Sequence, residues 1–144
     1  MKFEEIQEEW THDCPIDDTE LAQESVKIPQ LHNKYLIFYS NEKLRFKELR
    51  FILSGLVKRK RDYYSGRMTE EELEAADWEP FRIKLLKADV QEYIDADEDV
   101  IESKKILALQ EEKVDYLEAI VKGLSTRGYL IKNAIDWKRF TEGH

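Results

Sequence analysis

The sequence predicts an all-α fold, in the form of an elongated helical hairpin or bundle. Three observations support this class. The 144 residues include only five Gly and three Pro, 38% of them are charged, and apolar residues recur at spacings of three and four along most of the chain. Few turn-forming residues and many charges suit long solvated helices better than a turn-rich β-sandwich. With 42% apolar residues the chain can also bury a core, and we expect one domain over residues 1–144.

The N-terminal residues predict a short amphipathic helix. Phe3, Ile6 and Trp10 fall on one face of a helix over residues 2–11. Pro15 then marks a turn, since Pro and its neighbours disfavour a continuing helix.

Asp17, Asp18 or Thr19 can cap the helix that follows this turn, and Pro29 is expected in the first turn of the long unbroken stretch. Pro is tolerated in the first turn of a helix, where its missing N–H costs nothing. The helix is predicted to pass through Gly55 and to end at Ser65-Gly66, where Gly supplies a C-terminal cap.

The second half of the sequence predicts further helices. Thr69 and Glu72 have the spacing of a capping box at a helix start. Apolar periodicity then favours a helix over residues 81–94, and a longer one from about residue 97 to the Gly128 region. The stretch Gly123–Gly128 is interpreted as a helix end and tight turn before a last helix, Tyr129–Phe140.

The apolar face of these C-terminal helices is wider than a two-stranded coiled coil needs, which favours a bundle or an oligomer interface. Packing within one subunit is an almost equally good interpretation. The residues predicted to mediate self-assembly are Val114, Leu117, Val121, Leu124, Ile131, Ile135 and Trp137.

The net charge of −8 conceals an uneven distribution. Residues 43–67 hold nine Lys or Arg and two acidic residues, a net of +7, whereas the rest of the chain holds 14 cations and 29 acids, a net of −15. A basic patch on an acidic body can bind a polyanion that the average charge would argue against.

The segment Lys58–Arg67 is the most informative in the sequence. Cations neutralise phosphates, and aromatic rings stack on unpaired bases, so this combination favours single-stranded nucleic acid over duplex. A solvated helix end with tyrosines in the core is the alternative interpretation. The predicted nucleic-acid-binding residues are Lys58, Arg59, Lys60, Arg61, Tyr63, Tyr64 and Arg67.

Other classes of function find little support. Gly123–Gly128 has the glycine spacing of a P-loop, but Tyr129-Leu130 follows where Lys and Ser or Thr must contact the phosphates and magnesium. Cys14 has no second Cys for a disulfide or a zinc site, and no run of apolar residues predicts a signal peptide or a membrane span. We expect a cytosolic protein with no cofactor, no metal and no enzymatic activity.

Three blocks of sequence resemble the UvsY recombination mediator family of T-even-like bacteriophages. They are the N-terminal Phe3–Glu9 leading to Ile16–Thr19, the central Lys58–Arg67, and the C-terminal segment from Arg127 through Trp137 to Gly143. Their order and spacing extend over nearly the full chain.

The resemblance implies a protein that binds single-stranded DNA and loads a RecA-like recombinase of the UvsX type onto DNA covered by the phage single-strand-binding protein. It also implies a ring-like homo-oligomer of six or seven subunits that acts in the cytoplasm of the infected bacterial host. Residues 1–68 would end in the DNA-binding motif, 69–95 would connect, and 96–144 would assemble. The competing hypothesis is an acidic helical scaffold or adaptor that does not bind DNA.

Overall fold

The computed structural model describes residues 1–143, which contain five α-helices and no β-strand. The all-α prediction is therefore confirmed. The helices are α1 (Phe3–Asp13), α2 (Leu21–Tyr64), α3 (Glu70–Ala76), α4 (Val90–Ala96) and α5 (Glu98–Glu142). Two compact units form, one from Met1–Arg45 with the chain from Gln110 onward, and the other from Phe46–Leu109. The single domain expected from the sequence stays a prediction.

The first unit has an apolar core in which α1 packs on parts of α2 and α5. Ile6 and Tyr35 are buried, together with Leu117, Ile120 and Leu124 of α5. Trp10 meets the Tyr35 ring edge-on, with the centroids 5.2 Å apart. The apolar face predicted for the N-terminal helix is thus the face that covers this core.

Arg127 fixes α5 to the connection between α1 and α2. Its guanidinium is buried and donates to the carbonyl oxygens of Cys14 and Pro15 at 2.9 and 3.1 Å. It also lies 3.4 Å from the carboxylate of Glu24, which is buried as well. Since a buried charge is stable only when it is paired and hydrogen-bonded, this arginine fixes the position of the loop.

The predicted placement of Pro29 in a first turn is wrong. The helix begins at Leu21, and Pro29 lies in its interior. A helix-interior Pro removes the N–H that would bond to the carbonyl of Ser25. Both residues are exposed, so water can satisfy that carbonyl, and the buried Leu21 and Glu24 hold the first turns in place.

The predicted break between Gly123 and Gly128 is also wrong, because α5 runs unbroken from Glu98 to Glu142. Each Gly costs a helix interior about 1 kcal/mol relative to Ala, which is too little to stop a helix with a buried face. Leu124, Arg127 and Ile131 supply that face, since all three are buried.

The connecting region is partly as predicted. Gly66, at φ 72°, closes α2, and Thr69 caps α3 by accepting the N–H of Glu72 at 3.2 Å. The helix predicted over residues 81–94 is shorter, however, because only α4 forms there. Residues 81–86 are non-helical, and Phe81 packs its ring against Tyr64 instead.

Replacing the two helix-interior glycines tests the continuity of α5. Gly123→Ala and Gly128→Ala should each raise the free energy of unfolding by about 0.5–1 kcal/mol, measured by urea denaturation, because a Cβ would meet nothing closer than 3.9 Å. Gly66→Ala is the matched control and should be destabilising, since its φ is positive. Destabilisation by both α5 substitutions would argue for a break in the helix.

Candidate nucleic-acid interface

The basic segment forms the last turns of α2 in the second unit, Phe46–Leu109. The chain leaves the helix through Gly66, and the N–H of Arg67 bonds to the carbonyl of Asp62 at 2.9 Å. This closure satisfies a carbonyl that the helix end would otherwise leave unpaired. The end of the basic segment is therefore a defined turn.

Four consecutive cations on a helix point in four directions, since each residue advances by about 100°. Lys58, Arg59 and Arg61 are exposed, and so is Arg67 beyond the turn. Lys60 points the other way and is only 4% exposed. The predicted binding residues thus separate into outward cations and one inward cation.

Lys60 occupies a buried site with two carboxylates. Its Nζ lies 2.8 Å from Oδ2 of Asp99 and 3.1 Å from Oδ2 of Asp97. The same ammonium lies 3.9 Å from the ring centroid of Trp78, a distance at which a cation is attracted to the face of the ring. All of its charge is engaged within the unit, and in this arrangement it is not available to a phosphate.

Asp97 connects this ion pair to the start of α5. Its Oδ1 accepts the N–H groups of Asp99 and Val100 at 2.9 and 3.1 Å, as a helix-capping carboxylate does. Its Oδ2 accepts the hydroxyl of Tyr64 at 2.6 Å. Burial raises the pKa of Asp97, but the hydrogen bonds from Tyr64, Val100 and Lys60 outweigh burial and hold that pKa below its usual value.

Tyr63 and Tyr64 belong to an aromatic cluster. The Tyr64 centroid lies 4.9 Å from that of Phe81 and 5.6 Å from that of Tyr93, and Tyr63 contacts the ring of Trp78 at 5.4 Å. The Tyr63 hydroxyl donates to the carbonyl of Glu79. Both tyrosines are half-buried, and burial together with the bond to Asp97 raises the pKa of Tyr64. Their predicted stacking on bases remains untested.

The outward cations differ in how they are held. Arg59 lies over the same Trp78 ring as Lys60, 5.8 Å from its centroid. Arg61 donates to the side-chain oxygen of Gln91 at 2.8 Å, and Arg67 lies 3.4 Å from Asp62. Lys58 has no hydrogen bond or ion pair to any residue that the structure describes. The three arginines thus each have a contact within the unit, and all three remain exposed.

A cleft beside this segment brings in a cation that the sequence reasoning missed. Its cavity of about 330 Å³ is lined by Arg61, Ser65 and Arg67, by Lys87, and by the apolar Leu85 and Val90. Lys87 lies twenty positions beyond the basic segment and falls in a loop, so its charge was counted with the acidic remainder of the chain. The available signal was the spacing of Arg82, Lys84 and Lys87 just before α4.

Most residues predicted to mediate self-assembly lie in the first unit's own core or at its edge. Val114, Leu117, Leu124 and Ile131 are at most 8% exposed, and Val121 and Ile135 are half-buried. Only Trp137, at 66%, is open to solvent. The role of these residues in self-assembly stays a prediction.

Within residues 1–143, no cluster of His, Cys, Asp and Glu could hold a metal ion, and none of the helices has a stretch apolar and long enough to cross a membrane. Gly123–Gly128, the segment with P-loop spacing, is helical throughout. A phosphate-binding loop cannot form in that conformation, because its backbone N–H groups are bonded within the helix.

Known proteins match nearly the whole chain. Residues 9–144 match the family described as "UvsY: Recombination, repair and ssDNA binding protein UvsY". The recombination protein uvsY of Enterobacteria phage T4 is 27% identical over 143 residues, which cover 99% of each chain. A crystal structure of the bacteriophage T4 recombination mediator protein UvsY has a TM-score of 0.84 at 26% identity and covers 97% of this chain and 99% of that chain. Another of its crystal forms has the same TM-score and covers 99% and 98%.

Removing the inward cation should destabilise the fold. Lys60→Ala leaves the buried Asp97 without its cation, and we expect the free energy of unfolding to fall by about 3 kcal/mol. Lys58→Ala is the matched control, two positions away and exposed, and should change it by less than about 0.5 kcal/mol. Equal effects of the two substitutions in urea denaturation would contradict the assignment of Lys60 as a structural residue.

Proposed function

The chain belongs to the UvsY family of recombination, repair and single-stranded-DNA-binding proteins, and we propose that it is a recombination mediator that grips single-stranded DNA with the outward cations at the end of α2. Lys58, Arg59, Arg61 and Arg67 would contact phosphates, and Lys87 would add a contact from the adjacent cleft. No catalytic activity of its own is expected.

One observation supports this proposal above the others: a net positive segment ends in exposed cations, although the protein as a whole is strongly acidic. Phosphate contacts release counterions and give affinity without sequence preference, which is what a mediator needs on a strand of any sequence. The acidic remainder of the chain would keep the strand away from other surfaces by repulsion.

Within the predicted binding motif, the inward and half-buried residues would hold the helix end in place, and the outward cations would contact DNA. Lys60 acts as an internal anchor, and its ion pairs with Asp97 and Asp99 hold the helix end in one orientation. Tyr63 and Tyr64 support the same end through the aromatic cluster. Anchoring lowers the entropy lost when the outward cations bind DNA, because fewer backbone states remain to be frozen.

We propose that the mediator helps to load a RecA-like recombinase of the UvsX type onto DNA covered by the phage single-strand-binding protein. A homo-oligomer, as a hexamer or heptamer, would multiply individually weak phosphate contacts into a firm grip. Binding of this kind can bend the strand and loosen the covering protein while any ATPase activity belongs to the recombinase. The site of action would be the cytoplasm of the infected bacterial cell, since the relative it resembles comes from a phage.

Self-assembly is proposed to use the exposed apolar face near the end of α5. Leu130, Trp137 and Phe140 are 58%, 66% and 79% exposed, and Tyr129 is 71% exposed. Their spacing puts them on one side of the helix, and the Trp137 and Phe140 rings stack with centroids 5.9 Å apart. An exposed pair of stacked aromatic rings on a charged protein is typical of an interaction surface.

The DNA contact is tested by a salt titration. A Lys58→Ala, Arg61→Ala double variant should bind fluorescent oligothymidylate more weakly, and the slope of log affinity against log salt should become shallower by about 1.4 or more, since each lost phosphate contact removes about 0.7. The matched control, Lys104→Ala with Lys105→Ala, removes two exposed cations from α5. An unchanged slope in the first variant would refute the assignment of DNA binding to this segment.

The role of the exposed apolar face of α5 in self-assembly can be tested by measuring particle mass. Trp137→Asp with Phe140→Asp should lower the particle mass in light scattering while helical circular dichroism is kept, because both rings are exposed. Leu117→Asp with Leu124→Asp, which puts charges into the core, should instead unfold the subunit. Unchanged mass in the first variant would place self-assembly elsewhere.

A further inference from the structure

The exposed face of α2 ahead of the basic segment carries a second set of cations around an aromatic ring. Lys47, Arg50, Phe51 and Ser54 line a shallow cavity of about 350 Å³ on the second unit. All four are exposed. Phe51, at 77%, is among the most exposed apolar residues of the chain.

The helical period aligns this set with part of the basic segment. Positions 47, 50, 51, 54, 58 and 61 are separated by three, one, three, four and three residues, so all of them lie within about a third of the helix circumference. Lys58 and Arg61 thus continue the row that begins with Lys47 and Arg50. The row spans about 21 Å along the axis at 1.5 Å per residue.

The charge of this face is mainly positive. Four cations lie on it, and the two nearest acidic residues, Glu48 and Asp62, fall at its edge beside Phe51. Asp62 is paired to Arg67 at 3.4 Å. Arg50 rests its guanidinium over the ring of Phe46, 5.8 Å from the centroid. An exposed ring flanked by cations suits a ligand that has both phosphates and flat apolar groups.

We propose that Phe51 is a base-stacking residue and that Lys47 and Arg50 extend the single-strand-binding surface along α2. The inference rests on the proposed single-strand binding and goes beyond it, because it assigns base contact to a residue outside the basic segment. In a single strand the bases are free to stack on Phe51 while the phosphates follow the row of cations. In duplex DNA the bases are paired and stacked on one another, so the ring would find no partner.

The test compares an oligothymidylate with an abasic oligomer of equal length, using Phe51→Ala and the wild-type chain in fluorescence-anisotropy titrations at fixed salt. Phe51→Ala should weaken oligothymidylate binding at least about fivefold, as expected for one lost stacking contact, and leave abasic binding unchanged. Phe51→Tyr should retain wild-type affinity. Ile52→Ala is the matched control: Ile52 is 55% exposed and its position turns it off the cationic row, so neither affinity should change.

The outcomes separate this inference from the proposed function. If the wild-type chain fails to bind oligothymidylate at low salt, the proposed function fails and the inference fails with it. If the wild-type chain binds and Phe51→Ala binds equally well, only the inference is overturned. Equal weakening on both oligomers, or a lower particle mass in light scattering, would also overturn stacking, since it would mean that Phe51 supports folding or subunit contact.

Discussion

The ion pair of the buried Lys60 with the buried Asp97 and the exposed Asp99 is the constraint on which the second unit depends. A lysine ammonium is costly to bury, and burial is tolerated only with close partners and good geometry. Here two carboxylates lie within 3.1 Å and an indole ring covers the ammonium. Because Asp97 also caps α5 and accepts the Tyr64 hydroxyl, one carboxylate connects the end of α2, the aromatic cluster and the start of α5.

The four consecutive cations are not equivalent, because this ion pair turns one of them inward. As sequence, the run presents four equivalent charges to a polyanion. As a helix end anchored through its third member, it directs Lys58 and Arg61 toward one face and Arg59 toward Trp78. The anchor thereby gives the segment a fixed orientation, which we connect with the proposed grip on single-stranded DNA and with the cationic row that continues to Lys47.

Local rules in the sequence predicted the features that depend on local chemistry. Gly66 closes α2 and Thr69 caps α3 because those signals act within a few residues. The interior position of Pro29 and the continuity through Gly128 could not be predicted, because packing of the flanking turns overrides a local penalty of a few kcal/mol. The inward direction of Lys60 could be predicted in part from the sequence, since its position shares the apolar face of Leu53, Leu56 and Val57. Its partners Asp97 and Asp99 lie 37 and 39 positions downstream, and nothing in the sequence distinguishes them from the many other acidic residues.

The most direct measurement of the central claim is the salt dependence of oligothymidylate binding by Lys60→Met, made below its unfolding temperature. Met keeps the apolar stem of lysine and removes only the charge. If Lys60 is an anchor, the slope of log affinity against log salt stays at the wild-type value although the variant is less stable. A slope that becomes shallower by about 0.7 would show that Lys60 contacts a phosphate, and would contradict the division between one anchoring cation and the outward cations that bind DNA.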